Sequence, residues 1–220
     1  MCGDRSPVTV AGTAPDYGHF PSASGFPFHP ISRNLTRTLP MPVGLGTQIM
    51  AEREILLFIG GARSGKSRLA QAEAERRPGR LIYIATAEGL DDEMRERIAR
   101  HGADRDARWR TIECPIELPA TIAREGVDGA VLLIDCLTLW LSNVMLGGHD
   151  IAAARAALTD VLETAGGTVI LVTNEVGQGI VPDNPLARKF RDEAGFINQR
   201  VAANASRVAL VIAGTTLSLK

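Results

Sequence analysis

The residues best suited to chemistry lie between positions 60 and 67, where the chain reads Gly60-Gly61-Ala62-Arg63-Ser64-Gly65-Lys66-Ser67. The first and last of the three glycines let the backbone turn tightly, so that consecutive N–H groups face one concavity that suits phosphate oxygens. The lysine that follows suits the β- and γ-phosphates, and the serine hydroxyl suits Mg²⁺. This is the P-loop pattern, and it predicts a nucleotide-binding site.

The elements on either side of this loop are those that a P-loop requires. Five apolar residues, 55–59, precede it and predict a buried strand. A run of helix-forming residues follows it, from Arg68 to about Arg77, and Pro78-Gly79 ends that run. The positive end of this helix dipole would face the bound phosphates. The context therefore favours a functional P-loop over a glycine-rich turn with a chance lysine.

The rest of the chain alternates between apolar strands and helices. Strands are predicted at 80–87, 130–135, 168–173 and 207–213, and helices at 91–101, 118–125, 137–145, 151–165 and 185–203. Strands that are apolar throughout are typical of a parallel sheet covered on both faces. We therefore predict an α/β fold with a mostly parallel sheet, whose ligands bind at the carboxyl ends of the strands.

Two acidic residues follow predicted strands at that edge. Asp135 ends an apolar strand, where a P-loop protein keeps the acid that helps to hold Mg²⁺. The alternative is that Asp135 caps the helix that begins near Leu137. Glu175 is a candidate general base or a ligand of metal-bound water, or else a loop acid that accepts backbone hydrogen bonds. The sequence does not separate these roles.

His101 is a candidate nucleophile. Arg97 and Arg105 lie four residues before and after it, on the same face of a continued helix. Neighbouring positive charges favour the neutral imidazole, which is the nucleophilic form. From the residues alone, an exposed histidine on a solvated, charged helix is the more common situation.

Bulk properties exclude several classes of protein. The chain has 220 residues, 45% of them hydrophobic, which is enough for one α/β domain with a sizeable core. A net charge of −1 argues against a general nucleic-acid binder. The three scattered cysteines, Cys2, Cys114 and Cys136, indicate a reducing cytoplasm rather than a disulfide or zinc framework. The sequence predicts neither a membrane span nor a secretory signal.

Residues 1–50 differ in composition from the remainder. They contain seven of the twelve prolines and show neither helical nor strand periodicity. We predict a flexible proline- and glycine-rich extension over 1–50, or a start codon placed too early (Met41 or Met50), and a single catalytic domain over 51–220. The less favoured alternative is that Phe20, Phe26 and Phe28 dock on the domain surface.

Taken together, the motifs resemble one family. They lie at positions 60–67, 83–87, 91–94, 97–105, 109, 113–114, 135–138, 172–177, 179–182, 191–192, 195 and 198–200. This ordered series resembles the bifunctional adenosylcobinamide kinase / adenosylcobinamide-phosphate guanylyltransferase family of cobalamin biosynthesis. The resemblance covers about residues 54–220. A P-loop alone is shared by many families, whereas the whole series is highly specific.

The resemblance implies a two-step enzyme. ATP or GTP phosphorylates the aminopropanol hydroxyl of adenosylcobinamide. GMP from a second GTP is then transferred, through a guanylyl-histidine at His101, to adenosylcobinamide phosphate, and pyrophosphate is released. The family also implies a RecA-like P-loop fold, a homotrimer, and Mg²⁺ held by Ser67 and Asp135, directly or through water. The implied nucleotide contacts are Gly60, Gly61, Ala62, Arg63, Ser64, Gly65, Lys66, Ser67, Ala85, Thr86, Ala87, Gly102, Ala103, Asp104, Arg105, Glu113 and Asp135.

Two other functions are consistent with a P-loop. One is a small-molecule kinase that never forms a covalent adduct, in which case His101 is dispensable. The other is a RecA-like motor that acts on a macromolecule. The net charge and the lack of a basic segment interleaved with aromatic residues argue against the motor.

Overall fold

A computed structural model describes residues 53–88 and 106–220, and these residues fold around a seven-stranded sheet. The strands are β1 (Glu54–Gly60), β2 (Arg80–Ala85), β3 (Trp109–Glu113), β4 (Ala130–Asp135), β5 (Thr168–Asn174), β6 (Arg207–Ile212) and β7 (Thr215–Ser218). Their order across the sheet is β3-β2-β4-β5-β1-β6-β7. All neighbouring strands are parallel except β6 and β7, which are antiparallel.

Five helices lie within the described residues: α1 (Lys66–Glu75), α2 (Leu118–Glu125), α3 (Leu137–Leu146), α4 (Ile151–Thr164) and α5 (Pro185–Asn204). The two longest have capped N-termini. The carboxylate of Asp150 accepts hydrogen bonds from two backbone N–H groups of α4, and the amide oxygen of Asn184 does the same for α5. Pro185 opens α5 at a position where no intrahelical N–H is needed.

The central strands are buried on both faces, so their residues form two separate cores. Leu57, Ile84 and Leu132 belong to the core that is shared with α2, α3, α4 and α5. Their neighbours in the strands point to the opposite face, where the core includes Ala70 and Ala74 of α1. Helices therefore cover both faces of the sheet, as predicted.

The observed elements confirm most of the predicted ones. The bounds of α2 and β4 agree with the prediction, and those of α3, α4 and α5 differ by one residue at their ends. The sequence predicts no strand after 207–213, whereas the structure has one more. The chain turns at Ala213 and Gly214, both with positive φ (51° and 78°), and returns as β7. Two residues with positive φ form the tight hairpin turn that matches strand twist.

Other predictions concern residues outside the described ranges. The proposed extension 1–50, the helix over 91–101, and His101 with Gly102, Ala103, Asp104 and Arg105 all belong to this group. The boundary between extension and catalytic domain therefore stays a prediction. Within 53–88 and 106–220, no helix is both long enough and apolar enough to cross a bilayer.

One ion pair attaches the edge strand β3 to helix α2. Glu125, whose side chain is 8% exposed, accepts hydrogen bonds from Arg110 Nη1 (2.9 Å) and Arg124 Nε (3.0 Å). The hydrogen bond from Arg124 lowers the pKa of Glu125, and the charge of Arg110 acts in the same direction against the opposing effect of burial. Both arginines are about 60% exposed, so solvent screens the attraction.

Glu125→Gln is expected to lower the free energy of unfolding by about 1 kcal/mol at pH 7. Because the folded pKa lies below the unfolded value, this stabilisation is present above about pH 4.3 and is lost as the pH falls through the folded pKa. In urea titrations, the difference in unfolding free energy between wild type and variant should therefore be smaller at pH 3 than at pH 7. Asp106→Asn, which breaks the ion pair with Arg108, is the control, and its free energy of unfolding should equal that of the wild type at both pH values. An equal loss of unfolding free energy in Glu125→Gln at pH 7 and pH 3 would contradict the ion-pair explanation.

Candidate functional site

The P-loop occupies the turn between β1 and α1. Gly65 has a φ of +95°, a conformation that suits glycine, and its position as the N-cap of α1 starts the helix at Lys66. A Cβ atom at Gly60 would clash with the carbonyl oxygen of Val211 in the adjacent strand β6. The two glycines of the pattern are thus required for different reasons: Gly65 for its backbone angle and Gly60 for close approach of a neighbouring strand.

The side chain of Lys66 lies inside the loop, although its backbone begins helix α1. Its side chain is buried, with 6% of the residue exposed, and its Nζ donates to the Gly61 carbonyl at 2.7 Å and lies 3.4 Å from Ser64 Oγ. The ammonium is therefore held in the concavity that the loop backbone forms. A positive charge held there is suited to bind a polyphosphate.

The β6–β7 hairpin supports the loop, and sequence analysis missed this. The backbone N–H of Gly214 donates to the Ser64 carbonyl at 2.8 Å, and a Cβ at Gly65 would lie 3.3 Å from Gly214 Cα. The available signal was the Ala213-Gly214 pair between two runs that favour strands. That signal predicts a hairpin turn, but not that the turn contacts the P-loop.

Asp135 lies at the carboxyl end of β4, as predicted. Its Oδ2 accepts a hydrogen bond from the Tyr83 hydroxyl at 3.2 Å, and its side chain is partly exposed. The alternative role as a helix cap is wrong, because the N-cap of α3 is Cys136 and no side chain caps that helix. The carboxylate therefore contacts the Tyr83 hydroxyl of the adjacent strand rather than the helix backbone.

Strand register brings several predicted residues to one edge of the sheet. Going from strand to strand, Glu113 pairs with Ala85, Ala85 pairs with Asp135, and Gly60 pairs with Asn174. The P-loop and the acid are thus separated by a single strand, β5. The described members of the predicted nucleotide site belong to this edge or to the P-loop that continues from it.

Thr86 has a structural position at this edge. It is completely buried, and its Oγ1 donates to the Cys136 carbonyl (2.8 Å) and accepts from the Cys136 N–H (2.7 Å). These bonds join the end of β2 to the residue after Asp135. Its flanking residues differ in exposure: Ala85 is buried and Ala87 is partly exposed.

Glu175 follows β5 and contacts the beginning of the P-loop. Its backbone N–H donates to the Gly60 carbonyl at 3.0 Å, and its carboxylate accepts from the Gly177 N–H at 2.6 Å. The second contact is the one expected of a loop acid. A role for Glu175 as a general base stays a prediction.

The two tryptophans and the two described cysteines are structural. Trp140 is 1% exposed and donates from Nε1 to the Ile116 carbonyl at 2.8 Å, and Trp109 packs edge-on against Tyr83. Cys114 and Cys136 are both free and buried. Burial raises the pKa of the Cys136 thiol, so this group is a neutral thiol at pH 7.

The oxygen donors at the edge suit a magnesium ion. Ser67 supplies a hydroxyl at the start of α1 and Asp135 a carboxylate at the end of β4. Mg²⁺ is typically bound by one or two protein oxygens, with phosphate and water completing the shell. Residues 53–88 and 106–220 contain no group of three or more His, Cys, Asp or Glu that could hold a metal ion.

Comparison with known proteins gives one consistent family. The family model described as "Cobinamide kinase / cobinamide phosphate guanyltransferase" matches residues 56–219. The chain is 46% identical over 166 residues to the bifunctional adenosylcobalamin biosynthesis protein CobP of Pseudomonas aeruginosa, covering 74% of this chain and 96% of the relative. It is 43% identical over 181 residues to CobU of Salmonella typhimurium, covering 76% and 99% of the two chains.

Solved structures agree with the predicted fold. A prototypical ATPase from the type III secretion system of pathogenic bacteria superimposes with a TM-score of 0.50 at 12% identity. The alignment covers 75% of this chain and 56% of the ATPase. This likeness confirms the predicted RecA-like P-loop fold and, at such low identity, concerns the fold alone.

Proposed function

The chain belongs to the cobinamide kinase / cobinamide phosphate guanyltransferase family, and we propose that one nucleotide site at its P-loop serves both reactions. It is a bifunctional enzyme of adenosylcobalamin biosynthesis. The observation that supports a shared site is the position of Lys66 and Asp135 at the same edge of the sheet. Lys66 is buried within the P-loop, and only strand β5 separates the P-loop strand from the strand that ends with Asp135.

In the kinase step, the P-loop backbone and Lys66 hold the triphosphate of ATP or GTP. The aminopropanol hydroxyl of adenosylcobinamide attacks the γ-phosphorus, the bond from that phosphorus to the bridging oxygen breaks, and a nucleoside diphosphate leaves. Charge on the transferred group is countered by Lys66. Ser67 and Asp135 would hold Mg²⁺, which supplies further neutralisation of phosphate charge when bound.

In the transfer step, the nucleophile is the neutral imidazole of His101, a residue outside the described ranges. It attacks the α-phosphorus of GTP, a P–N bond forms and pyrophosphate leaves. A phosphate oxygen of adenosylcobinamide phosphate then attacks the same phosphorus, and the P–N bond breaks to give adenosylcobinamide-GDP. A covalent intermediate replaces one difficult displacement by two easier ones. Two successive displacements at the α-phosphorus predict retention of configuration there.

The nucleotide contacts of the proposed site are those that the resemblance implies. Glu113 and the segment 85–87 lie at the ends of β3 and β2, on the side of Asp135 away from the P-loop. The segment 102–105, next to His101, completes the site. We further propose that the enzyme is a homotrimer, as the resemblance implies. A cytoplasmic location is consistent with the free thiols of Cys114 and Cys136.

GTP that carries radiolabel at the α- or the γ-phosphate tests the covalent step. The purified protein is expected to retain label from the α-position only, in a form that is labile to acid and stable to alkali, as a phosphoramidate is. Adding adenosylcobinamide phosphate should release the label into product. Retention of γ-label, or of no label in a preparation that still makes adenosylcobinamide-GDP, would exclude the guanylyl-histidine.

A further inference from the structure

A chain of hydrogen bonds crosses the sheet edge and converges on Asn174. Asn174 ends β5, the strand between the P-loop strand and the Asp135 strand, and its Cα pairs with that of Gly60. Its side-chain Nδ2 donates to Thr138 Oγ1 at 2.8 Å. Neither Asn174 nor Thr138 belongs to the P-loop or to the residues that the resemblance assigns to nucleotide.

The backbone of Asn174 is fixed from helix α5. Asn198 Nδ2 donates to the Asn174 carbonyl at 3.2 Å, and Asn198 Oδ1 accepts from Thr173 Oγ1 at 2.8 Å. Asn198 is 7% exposed and Thr173 is 1% exposed. Buried amides and hydroxyls are costly unless they are paired, so this arrangement holds the end of β5 in one conformation.

The other end of the chain reaches the residue next to Asp135. Thr138 Oγ1 lies 3.1 Å from Cys136 Sγ, and the backbone of Cys136 is bonded in both directions to the Thr86 hydroxyl. Thr138 is itself buried, with 6% exposed. One hydroxyl thus links the segment that carries Asp135 to the residue that pairs with the first glycine of the P-loop.

We propose that Thr138 is a positioning residue that acts through Asn174, holding the end of β5 between the P-loop and Asp135. The inference rests on the proposed function, because it assumes that both flanking groups bind the same nucleotide. Displacement of a reacting group by about 1 Å can reduce a rate by about 100-fold. The hydrogen bond from Asn174 to Thr138 is therefore expected to affect the rate of the chemical step more than the binding of nucleotide.

The chain offers a matched pair of threonines to test this. Thr121 is buried like Thr138 (4% exposed), and its hydroxyl also contacts a buried thiol, that of Cys114, at 3.2 Å. Thr138→Val is expected to lower kcat for guanylyl transfer by about 10- to 100-fold, with KM for GTP within about twofold of wild type. Thr138→Ser, which keeps the hydroxyl, should restore kcat. Thr121→Val should lower only the melting temperature.

A double-mutant cycle determines whether Thr138 acts through Asn174. Asn174→Ala should lower kcat by at least as much as Thr138→Val, and the double variant should be no worse than Asn174→Ala alone. In an active wild-type background, the inference would be overturned by fully additive effects of the two substitutions on kcat. It would also be overturned by a kcat for Thr138→Val equal to that of Thr121→Val. An inactive wild type would instead contradict the proposed function.

Discussion

Replacing His101 by alanine is expected to abolish the guanylyl-enzyme adduct completely and to leave the kinase step within a few-fold of wild type. The reason is that the imidazole forms a bond only to the α-phosphorus of GTP, whereas transfer of the γ-phosphoryl group needs no protein nucleophile. The measurement is the label retained from α-labelled GTP, together with separate assays of adenosylcobinamide phosphate and adenosylcobinamide-GDP.

His149 provides the control for this substitution. It lies in an exposed turn after α3 and has no place in the proposed site. His149→Ala should retain the adduct and both activities. If His101→Ala kept guanylyl transfer, the transfer would not need a covalent bond to His101, and the guanylyl-histidine proposal would be wrong.

Sequence patterns predicted the site residues that depend on local structure. Gly65 needs a positive φ for the turn into α1, and a tight glycine turn between a buried strand and a helix is recognisable from neighbouring residues alone. Asp135 was predictable for a similar reason, since an acid at the end of an apolar strand lies at the edge where ligands bind parallel sheets. The fold class followed from the same alternation of strands and helices.

Features that depend on distant contacts were not predictable in this way. The requirement for glycine at position 60 also comes from β6, about 150 residues later in the chain. The contact between Gly214 and the Ser64 carbonyl depends on how the last hairpin folds back on the sheet. The bond between Asn174 and Thr138 joins two elements whose proximity follows only from strand order. One sequence carries no direct signal for such pairs.

Replacing Lys66 by methionine is expected to reduce both reactions, each by about 10²- to 10³-fold, which corresponds to about 2.7–4 kcal/mol of transition-state stabilisation. Methionine keeps an unbranched side chain in the loop but removes the ammonium that now contacts the Gly61 carbonyl. The charge counters both a γ-phosphoryl group in transfer and a pyrophosphate leaving group. The measurement is kcat/KM for the kinase and guanylyl-transfer steps in parallel.

Lys189 is the matched control for the loss of a positive charge. It is an exposed residue of α5, and Lys189→Ala should leave both rates and the melting temperature unchanged. Comparing the Lys66 and His101 variants then tests whether the two reactions share a site. If Lys66→Met loses both activities and His101→Ala loses only guanylyl transfer, one triphosphate-binding site serves both reactions. The histidine nucleophile is then used only in the second reaction. If Lys66→Met removed the kinase alone, guanylyl transfer would need a second nucleotide site, and the P-loop edge would serve one reaction rather than two.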